Sequence, residues 1–329
     1  MSEIFLIVKA TVILAVGLLA ATFARRTRAS IRHAILASTF LALLLLPVMT
    51  FFAPAIVIEL PIASTAPAAA PASIPSLPAP AEAAPPIANA TAGGYARTWI
   101  PSWPVAVRSV WAVGTIALLF SLCVSLWQFR RLRRHALPWT AGAPLVSGLA
   151  SAAGVTRRVD VLLHEDLPAP ATCGWRNATV LMPSDAPDWP GTEIRHAIVH
   201  ELEHIRRGDW SVHLMARAAC AVFWFHPLAW FAVGGLSLEA ERACDDAVLQ
   251  GAEHADYAEQ LVQLARRMSN APAQPLLAMA KRSDLATRVS AILDLTQSRG
   301  RLGAAQVGTA LAGAAVLMLA VAPLRAVSA

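Results

Sequence analysis

Two histidines four residues apart, with a glutamate directly after the first, have the residue types and spacing of a hydrolytic metal site. The run His200-Glu201-Leu202-Glu203-His204 has this pattern. On a helix, side chains at i and i+4 sit one above the other. Both imidazoles can then reach one zinc ion at about 2.0–2.1 Å. Glu201 is placed to take the proton of an attacking water. Nine histidines occur in 329 residues, so chance supplies the pattern in roughly one such chain per hundred. The plainer reading is a solvated polar helix face. Glu203 favours that reading, because it puts a charge where metal-binding helices usually carry an uncharged residue.

A catalytic zinc needs a third protein ligand and one open position. The stretch Leu238 to Gln250 offers Glu239, Glu241, Asp245 and Asp246. Glu241 and Asp245 are four apart and share one helix face, whereas Glu239 points elsewhere. One of the pair can bind the metal while the other accepts a hydrogen bond from a ligand histidine and fixes its tautomer. A plain acidic face is the competing reading. Tyr257 and His254 are candidates to stabilise the oxyanion of the reaction. His213 and His226 fit packing or interfacial roles better than metal binding. The four cysteines (Cys123, Cys173, Cys220 and Cys244) form no CxxC pair. This argues against a disulfide framework or a cysteine-rich zinc site.

The elements that must carry these residues follow from periodicity and punctuation. Thr192 to Arg207 reads as an amphipathic helix closed by Gly208. Val159 to Leu163 and Ala178 to Met182 read as strands separated by Pro168, Pro170 and Gly174. Trp210 to Leu236 is rich in Trp, Phe and Ala and is split by His226-Pro227, which predicts a helical hairpin at a membrane interface.

Composition places this unit in a membrane. Of all residues, 56% are hydrophobic and 15% charged, against about 25% charged in soluble domains. Apolar runs occur at Ile4 to Phe23, Ala34 to about Ile58 (broken mainly by Pro47 and Pro54), Ser109 to Trp127 and Gln306 to Leu324. About 20 such residues span a bilayer as a helix. Arginines follow the first run rather than precede it, so it reads as a retained span and not a signal peptide. With the chain crossing at each span, the arginines at 25–32, 130–134 and 299–301 all fall on one side. The positive-inside rule puts them in the cytoplasm and the N-terminus outside. The net charge of +6 thus reads as topology, and no basic face interleaved with aromatics suggests nucleic-acid binding. Pro61 to Pro86 is an Ala/Pro-rich stretch expected to be an extended spacer. The expected organisation is two spans in 1–63, an external loop in 64–104 and a third span in 105–128. A cytoplasmic domain with its hairpin near 210–236 fills 129–303, and a fourth span with a short tail fills 304–329.

The runs HAIVHELEHIRRGDW, FWFHPLAWF and LEAERACDDAVL occur in that order and resemble the membrane metallopeptidases of the BlaR/MecR antirepressor type, a gluzincin-like group. GWRNATVLMPSD upstream and LATRVSAILD downstream are similar to the same group's flanking segments. The resemblance covers roughly Cys173 to Leu295 and the four-span layout. It implies a mainly α, multi-span membrane protein with an embedded gluzincin-like zinc protease domain carrying a small β element. It implies Zn2+ held by His200, His204 and Glu241, with Glu201 as catalytic base and Asp245 as the partner of a ligand histidine. It further implies a bacterial inner-membrane location, and as substrate a transcriptional repressor, often with self-cleavage. Met268 to Ser283, which holds Lys281-Arg282, is the expected self-cleavage segment. A homodimer stays open.

The best-known members carry an external penicillin-binding sensor after the fourth span. Neither lysine of this chain, Lys9 or Lys281, has a serine three positions before it. S-x-x-K is therefore absent, and the chain is not expected to acylate with a β-lactam. Its signal is expected through the outer loop, the membrane or a separate sensor protein. Two other readings stand beside the protease: a membrane transducer or scaffold without proteolysis, and a housekeeping membrane peptidase.

Overall fold

The computed structural model describes residues 2–52, 56–60, 103–174, 177–270 and 275–328. The stretch Pro61 to Pro86 lies outside them, as do Trp175, Arg176 and residues 271–274 of the expected self-cleavage segment. In chain order, α1 (Ser2–Phe23) and α2 (Ala29–Phe52) are followed by β1 (Ile56–Leu60) and α3 (Trp103–His135). Next come β2 (Leu137–Pro138), α4 (Ala143–Ala153), β3 (Val159–His164), β4 (Ala171–Cys173) and β5 (Ala178–Pro183). Five helices follow: α5 (Gly191–Arg207), α6 (Asp209–Val222), α7 (Pro227–Val248), α8 (His254–Asn270) and α9 (Pro275–Leu293). The described chain ends with α10 (Ala304–Val321) and β6 (Leu324–Ser328). It is a mainly helical, multi-pass membrane protein with a small β element.

The helices α1, α2, α3 and α10 are each long and apolar enough to cross a membrane. Pro47 lies inside α2 instead of breaking it, and the helix stops at Phe52, short of Ile58. Proline is tolerated in spanning helices because neighbouring helices re-satisfy the freed carbonyl. Beyond Phe52 the run Ile-Val-Ile pairs in parallel with β6 as β1, as β-branched residues favour. The α1–α2 approach is close: a Cβ on Gly17 would stand 2.2 Å from Thr39 Oγ1.

The four-stranded sheet has the order β2-β3-β5-β4. β3 and β5 run parallel, and β2 and β4 are antiparallel edges. β5 is buried at all six positions, as a central strand covered on both faces should be. β2 and β4 escape sequence reading because two or three residues carry no period.

Three cores fix the site. Ile194, Ile198, Leu202 and Ile205 of α5 pack on Val180 and Met182 of β5. Ile13, Phe40 and Leu43 of the apolar hairpin pack on Phe223 and on Leu236 of α7. Val248, Tyr257, Leu261 and Ile292 join α7 to α8 and α9. α7 thus belongs to both the second and the third core. The segment 210–236 is a helix–turn–helix, with α6 joined to α7 through Phe223–His226. His226 is buried and Nε2 lies 2.9 Å from Thr11 Oγ1, a packing role. The arginine-rich flanks of α2 and α10 meet. Arg28 donates to the Arg301 carbonyl at 3.2 Å and Ser30 to the Gly300 carbonyl at 3.0 Å.

Candidate metal centre

Helix α5 is amphipathic, so burying its isoleucine stripe on the sheet turns His200 and His204 the other way, into a cleft. Their rings pack edge to face, 5.1 Å between centroids. Glu203 does not disturb this helix. It is 2% exposed and its carboxylate is held by Arg206 at 2.5–3.1 Å and Arg301 at 3.4 Å.

Gly208 ends α5. Its φ of 71° is left-handed, a conformation that costs any residue with a Cβ. Its N–H bonds the carbonyls of His204 and Ile205, and α6 begins one residue later. This corner brings Asp209 back beneath His204, where Nδ1 lies 2.7 Å from Asp209 Oδ2. Arg207 also donates to Asp209 Oδ2, to the Ala240 carbonyl at 2.8 Å and to Cys244 Sγ at 3.5 Å. Burial opposes the Asp209 charge, but His204 and Arg207 hold its carboxyl far below the usual range. Asp209 was not anticipated from the sequence. The GDW that closes the quoted HELEHIRRGDW run was its only signal.

Across the cleft, α7 supplies Glu241 and Asp245. His200 Nδ1 lies 3.3 Å from Asp245 Oδ1 and 3.3 Å from the Tyr257 hydroxyl. Tyr257 donates to the same carboxylate at 2.8 Å, and Arg288 of α9 binds it through two nitrogens at 2.7 and 2.8 Å. A third Arg288 nitrogen lies 2.9 Å from Glu241 Oε2. Arg288 is a second residue that sequence reading missed, in a segment (LATRVSAILD) noted only for its likeness. Of the two oxyanion candidates, Tyr257 has its hydroxyl tied to Asp245. His254 instead pairs with Arg299 at 2.9 Å.

At Nδ1 each histidine faces a carboxylate, which only accepts, so Nδ1 carries a proton and Nε2 is the nitrogen left to bind a metal once its own proton is displaced. Both Nε2 atoms face the Glu241 carboxylate: His200 Nε2 is 3.4 Å from Oε2 and His204 Nε2 is 3.5 Å from Oε1. Two tetrahedral ligands about 2.0–2.1 Å from zinc would stand roughly 3.3 Å apart. Each imidazole–carboxylate separation thus matches that of two ligands on one zinc-sized cation. Burial opposes a charged His200, but Cys244, Asp245 and Glu241 push its pKa up to about 10; the same negative surroundings favour a cation, which on binding displaces the Nε2 proton. For Glu241, burial is overcome by Arg288 and the two histidines, which hold it well below the usual range.

One ring nitrogen of each histidine also lies within 4.8 Å of Cys244 Sγ. Cys244 is fully buried. It shares the Arg207 guanidinium with Asp209, hydrogen-bonds the His204 side chain and is not among the residues that line the cleft. Glu241 lines the cleft with His200, Glu201 and His204. Glu201 is 7% exposed and accepts a hydrogen bond from Thr172 of β4. Burial raises its pKa, against the pull of His204 and His200. The cleft measures about 950 Å3 and is open to solvent. Edge strand β4 runs along it, with Ala171 and Thr172 among its walls.

Burial raises Asp245 as well, but Arg288 and His200 bring it down to about 2. A depressed carboxyl stabilises the fold above its unfolded pKa, about 3.9, and this stability fades as pH falls toward 2. Arg288→Leu is expected to lower folding stability by about 3–5 kcal/mol, the cost of stranding a buried charge. Thermal unfolding of the purified chain reads this, and an unshifted transition contradicts it.

A family model, BlaR1 peptidase M56, matches residues 4–292. The chain belongs to that family. Among curated proteins, this M56 chain is similar to the regulatory protein BlaR1 of Bacillus licheniformis, 30% identical over 94 residues. Those residues are 28% of this chain and 16% of that protein. The M56 match spans both the apolar helices and the cleft. The scaffold on which His200, Glu201, His204 and Glu241 converge is therefore that of a peptidase family.

Proposed function

We propose that this protein is a membrane-embedded zinc metalloendopeptidase acting in regulated proteolysis. His200, His204 and Glu241 hold the metal, Glu201 is the catalytic base, and Asp245 and Asp209 fix the two imidazoles. The observation that carries this reading is the convergence of two Nε2 atoms and one carboxylate at 3.4–3.5 Å, inside the cleft that also holds Glu201.

A bound zinc supplies Lewis acidity, which lowers the pKa of water toward 7 and polarises the scissile carbonyl. Glu201 takes the proton of the attacking water and returns it to the leaving amine. The peptide enters extended and pairs with the free edge of β4, where main-chain hydrogen bonds are available to any sequence. The open-ended cleft favours cutting within a chain over trimming an end.

The arginine-rich flanks of α2 and α10, which touch one another, support a cytoplasmic cleft in the bacterial inner membrane with the N-terminus outside. The likeness to a regulatory protein favours a signalling role over housekeeping. The substrate fitting that role is a transcriptional repressor, with self-cleavage near Met268 to Ser283. The signal reaches the protease through the outer loop, the membrane or a separate sensor protein.

Metal removal tests the reading. Cleavage of an unstructured protein substrate should stop on treatment with a chelator and return on adding one equivalent of zinc. Cleavage that survives exhaustive chelation would sink it.

A further inference from the structure

Two polar side chains at the start of α2 turn away from the surrounding apolar face. Arg32 is 3% exposed and His33 6%, and both meet the helices that carry the metal-centre residues. Arg32 Nη2 lies 2.6 Å from Glu239 Oε2 on α7, two residues before Glu241. Arg242 donates to the other Glu239 oxygen at 3.2 Å. His33 Nε2 lies 3.5 Å from Asp209 Oδ1. Both atoms are buried, and among the described residues neither makes a hydrogen bond; their approach is a polar contact at the outer limit of hydrogen-bond distance. The second oxygen of Asp209 receives His204 Nδ1 at 2.7 Å. One carboxylate thus lies between an imidazole of an apolar helix and an imidazole of the cleft.

We infer that His33 is a positioning residue for the metal centre, acting on His204 through Asp209. This rests on the proposed zinc reading. A carboxylate held at one oxygen can rotate and carry its imidazole with it. A polar partner packed against the second oxygen restrains the plane of the carboxylate, and with it the direction in which His204 presents Nε2. Partners of this kind set ligand orientation and basicity, and their loss typically weakens metal binding about 10–100-fold. The Arg32–Glu239 pair anchors α2 to α7 at the same level, so the second apolar helix is part of the centre as well as an anchor.

The test is zinc affinity of the full chain, freed of metal and titrated against a competing chelator. His33→Leu removes the polar partner, His33→Gln keeps one, and His204→Ala tests the underlying reading. We expect about a 10-fold loss of affinity in His33→Leu, most of it recovered in His33→Gln, and loss of the site in His204→Ala. Wild-type affinity in His33→Leu, or an equal fall in His33→Leu and His33→Gln, overturns the role of His33. Wild-type affinity in His204→Ala overturns the zinc reading instead. Should His33→Leu fail to fold, His33→Asn, whose amide is too short to reach Asp209, takes its place under the same outcomes.

Discussion

Glu201→Gln should leave a folded, metal-binding protein that cleaves its substrate about 10²–10⁴-fold more slowly, the usual worth of a general base. The amide matches the carboxylate in shape and can keep the contact with Thr172, but it cannot take a proton. Glu201 is 7% exposed and stands between two residues whose Nε2 atoms face Glu241. A structural zinc site would have no need of a buried acid there. The same variant therefore separates the protease from the transducer or scaffold. Paired measurements of zinc content and of self-cleavage, or of kcat/KM on a peptide, decide it. Equal rates in variant and wild type would remove Glu201 from the chemistry. A loss of zinc would show instead that the residue shapes the metal site.

What the sequence reveals and what it conceals follow from the reach of periodicity. A helix repeats every 3.6 residues, so His200 and His204 are visible as one face, and Glu241 with Asp245 as another. Apolar length reveals α1, α2, α3 and α10, and β-branched runs reveal β3 and β5. Periodicity does not show what meets across a corner or between distant helices. Asp209 reaches His204 only because Gly208 takes a left-handed φ of 71°. Arg288 is 43 residues beyond Asp245, and His33 is more than 170 residues before Asp209. Each of these contacts is made by tertiary packing. Glu203 is a mixed case: its nearer partner Arg206 is three residues on and within reach of helical spacing, while Arg301, nearly a hundred residues on, is brought to it by packing. Spacing made the Glu241–Asp245 pair legible only as a pair, and the division of labour within it came from the family resemblance. The orientation of the imidazoles distinguishes them, since Asp245 meets an Nδ1 and Glu241 meets both Nε2 atoms.

Access to the cleft separates Glu241 from Cys244, and here the second large effect is expected. Glu241→Gln should weaken zinc binding by more than the roughly 10–100-fold typical of an outer partner, and proteolysis should fall with it. Cys244→Ala should retain the metal and most of the activity. By donor chemistry alone the opposite is reasonable, because a thiolate is a strong zinc ligand and Sγ is within 4.8 Å of both imidazoles. Geometry decides against it. Cys244 is fully buried beside Arg207 and outside the lining of the cleft, so a metal held there would have no opening to water or peptide. At Glu241, with its side chain 35% exposed, both Nε2 atoms are available and water and peptide can approach. Zinc retained in Glu241→Gln and lost in Cys244→Ala would turn the site inside out, from an open hydrolytic centre to a closed structural one.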